Sequence, residues 1–123
     1  MNSDASPKRK MSEMISEMAA PFISEGKTPE EKHHRLTAVC SAWNMACGSP
    51  EMRRQQLEQY VEGYLQNNPT TSPDNLANIR KVMESLIERK LAMFPDDKRQ
   101  IVSARVVMVG KDYRIEVASA TAQ

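Results

Sequence analysis

The chain has 123 residues, 40% of them apolar and 27% charged, with a formal net charge of +1. That length suits one domain with its own core, and the composition is that of an ordinary globular protein rather than a disordered or fibrous one. The charge is spread evenly along the chain, so no basic stripe of the kind nucleic-acid binders carry is visible, and no apolar run approaches the roughly 20 residues that span a bilayer.

Residues 1–10 are polar and aperiodic, and read as a disordered N-terminal arm ahead of a single domain over 11–120. Pro7-Lys8-Arg9-Lys10 has the composition of a short import signal or phosphate-binding arm, though four-residue basic matches arise readily by chance. The arm lacks the apolar segment of a secretory signal. A first helix starts near Lys10 or Met11, with Met11, Met14, Ile15, Met18, Ala19 and Phe22 on one stripe. Pro21 falls inside that stripe, which predicts a kink continuing to about Ser24 or a stop near Ala20.

Three further helices open on the same chemistry: Thr28-Pro29, Ser49-Pro50 and Ser72-Pro73 each place a capping hydroxyl before a proline suited to the first turn. The second should bury Leu36, Val39, Cys40, Trp43, Ala46 and Cys47, and end at Gly48 in a left-handed cap. The third carries Leu57, Tyr60, Val61, Tyr64 and Leu65 on one face, with Gly63 as a weak point or a close contact. The fourth runs to Pro95 with Leu76, Ile79, Met83, Leu86, Ile87, Leu91 and Phe94. Lys90 lies in its apolar arc, so its stem should pack while the ammonium reaches outward. Arg80 and Glu84 are spaced to pair.

After the polar corner Asp96–Arg99 the period changes to two. With Gly110-Lys111 as a two-residue II′ turn, Met108 faces Tyr113, Val106 faces Ile115 and Ala104 faces Val117, all on one side. A lone two-stranded hairpin is marginal in water, so it should lie on the helices, and its free edges invite a second copy. The stretch from Leu76 to Ala120 thus looks like the part around which the rest is organised. The expected fold is α+β: four helices followed by a C-terminal two-stranded antiparallel β-hairpin packed on them, with Trp43 and Phe94 in the core.

Candidate chemistry is thin. His33, Cys40 and Cys47 share a helical face, but successive members are about 10 Å apart along the axis, too far for one zinc ion or for a disulfide. Neither His33 nor His34 can reach Cys40 as a base, and both thiols sit on an apolar stripe, as structural cysteines do. Asp96-Asp97 lacks a third carboxylate and reads as turn chemistry. No glycine-rich phosphate loop and no hydrolase or metalloprotease signature occurs. No cofactor or metal is expected, and two free thiols point to the cytoplasm.

The cations Arg89, Lys90, Lys98, Arg99, Arg105 and Arg114 cluster in sequence around the corner and form the candidate interaction surface. They are weighed against simple compensation of the dipole at the end of the fourth helix. From Leu86-Ile87-Glu88-Arg89-Lys90 through Phe94-Pro95-Asp96-Asp97-Lys98-Arg99-Gln100-Ile101 to Val117-Ala118-Ser119, and at Ala42-Trp43-Asn44, the chain resembles small uncharacterised bacterial proteins. That resemblance covers about the last hundred residues and implies a bacterial cytoplasmic setting, with no activity, cofactor or catalytic residue to carry over. The expectation is a non-enzymatic protein–protein interaction module, homodimeric, with no membrane association. The alternative is a nucleic-acid-associated accessory protein using the basic corner at 89–114.

Overall fold

The computed structural model describes residues 9–120. Helices α1 (Met11–Ser24), α2 (Pro29–Ala46), α3 (Pro50–Asn67) and α4 (Pro73–Met93) precede strands β1 (Gln100–Val109) and β2 (Asp112–Ala120). The expected arm lies outside the described residues except for Arg9 and Lys10. Arg9 pairs with Glu17, and its guanidinium lies 5.9 Å from the centre of the Phe94 ring.

Each hydroxyl-proline pair starts a helix. Thr28, Ser49 and Ser72 accept the backbone N–H of Glu31, Met52 and Asn75 at 3.1, 3.2 and 3.1 Å, and the proline takes the position that needs no donor. Pro21 kinks α1 without ending it. Ala19 leaves helical geometry (φ −146°, ψ 17°) and the helix resumes to Ser24. Gly26 is buried in the turn that follows, where a Cβ would stand 2.7 Å from the Lys32 backbone nitrogen, so only glycine fits that approach.

The centre of the molecule is α2. It packs against α1, α3, α4 and β1, and buries Leu36, Val39, Cys40, Ala42, Trp43, Met45 and Ala46. The hairpin lies across α1 and α2, while α3 and α4 cover the other side of α2. The fourth helix and the hairpin do not pack on each other, because α2 stands between them. The organising element is therefore α2, rather than the 76–120 stretch. Trp43 is fully buried, and Phe94 packs beside it at 5.8 Å between ring centres.

Several local expectations are corrected. Gly48 is not left-handed, since Gly110 is the only described residue with positive φ; α2 closes instead through Cys47 N–H to Trp43 and Asn44 oxygens and Gly48 N–H to Met45 O. Gly63 marks no close contact, for a Cβ there meets nothing within 4 Å. Of the α3 stripe only Leu57 and Val61 are buried, and Tyr64 and Leu65 are exposed. Arg80 reaches across to Glu58 of α3 rather than up its own helix to Glu84.

The strands pair antiparallel as the alternation predicts, with Val106 opposite Ile115 and Ala104 opposite Val117. Gly110 has φ 62° and Lys111 does not share a positive φ, the pattern of a II′ turn. β1 also carries a bulge at Val102, of which the alternation in the sequence gives no sign. The extra residue reverses the alternation, so that Ile101 faces the core with Ala104 and Val106 while Val102 is 65% exposed.

Candidate interaction surface

The corner between α4 and β1 is assembled from behind by α2. The Trp43 indole N–H donates to the Arg99 carbonyl at 2.8 Å. The Asn44 amide donates to the Ile101 carbonyl at 2.9 Å and accepts the Ile101 N–H at 2.7 Å, so one side chain occupies both backbone groups of the strand's first core residue. The Cys47 thiol lies 3.7 Å from the Asp97 and Arg99 carbonyls. These residues are fifty or more positions from their partners, and only the fold brings them together.

The six predicted cations do not form one patch. Lys90 is fully buried; its ammonium donates to the Asp97 carbonyl at 2.6 Å and sits 4.9 Å from the Trp43 ring centre, so it points inward and not to solvent. The carbonyl and the ring face offset part of the cost of removing that charge from water. Burial, with Lys98 and Arg53 nearby, pulls its pKa below the usual lysine range, against the opposing influence of Cys47 and Asp97. Arg99 is clamped by Asp97 at 2.6 Å, with both side chains largely covered, and that hydrogen bond raises its pKa further. Arg89 donates to the Met18 carbonyl at the α1 kink, 2.8 Å away. Lys98 is exposed. Arg105 and Arg114, on the outer face of the hairpin, share Glu116 at 2.6 and 3.0 Å, and their hydrogen bonds hold its carboxyl below the usual range.

Cys40 is buried, and burial pushes its thiol up to about 12, which leaves it protonated at neutral pH and a poor nucleophile. Among the described residues no group of three potential ligands could hold a metal ion, and no helix is long and apolar enough to cross a membrane.

The hairpin's edges are the larger unpartnered feature. A two-residue turn makes Val109 and Asp112 the first hydrogen-bonded pair, after which inward and outward bonding alternate. Ala104, Val106 and Met108 of β1, and Tyr113, Ile115 and Val117 of β2, therefore turn their N–H and C=O groups away from the hairpin. Among the described residues no hydrogen bond reaches these groups. Met108 and Val109 near the tip are 44% and 52% exposed. Sequence spacing shows which residues face outward at each edge, but the Asn44 clasp at the base of β1 carries no local signal.

No family model, curated protein or solved structure matches the chain. Its function is therefore argued from its own residues.

Proposed function

We propose that the chain is a non-enzymatic protein–protein interaction module that self-associates through its hairpin, in the cytoplasm. The observation that carries this reading is a two-stranded sheet whose outward backbone groups, at Ala104, Val106 and Met108 on one edge and Tyr113, Ile115 and Val117 on the other, have no hydrogen-bond partner among the described residues. Backbone groups left in water at a sheet edge are ready to pair with another strand, and proteins that stay monomeric usually blunt such edges. Free Cys40 and Cys47 suit a reducing compartment.

The same surface gives less support to a nucleic-acid interface. Phosphate recognition needs several free cations on one face. Here Lys90 is buried, Arg99 is neutralised by Asp97, and Arg105 and Arg114 share one carboxylate. The deciding experiment is the solution mass of the full chain by light scattering across a wide concentration range. A dimer mass that falls on dilution is expected; a monomer at every concentration overturns the reading.

A further inference from the structure

The two sheet edges are not equivalent. At the base of β1 the Asn44 amide takes the N–H and C=O of Ile101 from the outer side, and the next residue is the bulge at Val102. A strand arriving there would meet an occupied, irregular start. Its charge pattern also fits poorly, because Arg105 is the only charged residue of β1 and no acid on a second β1 could face it.

β2 is regular over its length and carries Arg114 and Glu116 on either side of Ile115. Its outward backbone groups belong to Tyr113, Ile115 and Val117, a set symmetric about Ile115. Two copies of such a strand, placed antiparallel about a two-fold axis at Ile115, bring Ile115 opposite itself and Tyr113 opposite Val117, each a hydrogen-bonded pair. The intervening positions then place Arg114 of each copy opposite Glu116 of the other, where opposed side chains approach most closely. Glu116 already accepts from Arg105 at one oxygen and twice from Arg114 at the other, so on pairing each exposed Arg114 exchanges its intrachain carboxylate for Glu116 of the second copy. Beside the edge, α1 presents Ser12, Glu13, Ser16 and Glu17 along an open groove that borders Tyr113 and Ile115.

We propose that a second copy of this chain adds its β2 antiparallel to this β2, centred on Ile115, with two reciprocal Arg114–Glu116 ion pairs, to make a four-stranded sheet. This rests on the self-association reading and names the edge, the register and the partner.

Amide hydrogen exchange on the full chain, followed residue by residue at dilute and concentrated protein, tests it directly. The amides of Tyr113, Ile115 and Val117 should slow by about tenfold or more as the dimer forms, while those of Ala104, Val106 and Met108 stay fast. Charge reversal gives an independent readout. Arg114→Glu leaves acids at both facing positions, 114 and 116, and Glu116→Arg leaves bases at both, so each variant alone should be monomeric and an equal mixture should form heterodimers. Circular dichroism first establishes that both variants are folded. Protection at Ala104, Val106 and Met108 instead, or undiminished dimers of each variant alone, overturns the β2 register while leaving self-association intact. A monomeric wild-type chain overturns both.

Discussion

Helices α2 and α3 begin alike and end up doing different things. Each has 18 residues, each opens on a hydroxyl-proline pair, and each is capped by the same hydroxyl-to-amide bond. Yet α2 buries seven side chains and touches three helices and a strand, whereas α3 buries two and leans on α2 and α4. Capping chemistry decides where a helix starts. What the helix contributes is set by how many of its faces meet a neighbour, and only α2 is surrounded.

That contrast can be broken or sharpened by substitution. The largest difference should come from truncating one core residue on each helix. Trp43→Ala is expected to cost about 3–5 kcal/mol and lose the indole bond to Arg99, against about 2–3 kcal/mol for Leu57→Ala. Urea unfolding of the two variants measures both, and equal losses would refute the central role of α2. Next comes Asn44→Ala, which strips both partners from Ile101 at once. A loss of about 2–3 kcal/mol is expected, with faster exchange of the Ile101 amide in particular.

Cys40 gives α2 a pH dependence at the alkaline end. Its folded pKa of about 12 lies above the ordinary thiol value of 9.0, so its contribution is fully present below pH 9 and is lost as pH rises towards 12. Linkage puts that loss at about 2 kcal/mol by about pH 10.5. Comparing wild type with Cys40→Ala from neutral to alkaline pH should show the gap between them closing by this amount. The smallest effect has the opposite sign. Gly63→Ala in α3 meets open space and should stabilise the protein by about 0.5–1 kcal/mol in a thermal melt.

The parts of this fold legible in the sequence are those set by neighbours in the chain. A hydroxyl three residues before an amide, a proline in a first turn and a two-residue turn between alternating strands all act within a few residues, and all three signals survive in the structure. What could not be read depends on distant partners. The bulge at Val102 accompanies the hold of Asn44 on Ile101, 57 positions away, and Arg80 turns to Glu58 because α3 lies alongside. Lys90 is the clearest case. Helical periodicity places it correctly in the buried arc, but only the returning chain supplies the Asp97 carbonyl that lets the ammonium stay inside. Of the predicted surface, sequence proximity around the corner says little about shared exposure, because adjacent residues such as Lys98 and Arg99 meet different surroundings.

Trp43 is the chain's single tryptophan, and its burial makes it a built-in optical probe. Its ring touches the Lys90 ammonium and Phe94, and its N–H holds the last residue before the sheet. Its fluorescence therefore reports the helical core and the root of the hairpin through one signal. If the hairpin peels away before the helices melt, the emission will change in two steps, while a single step shared with circular dichroism will mean that sheet and helices unfold as one unit.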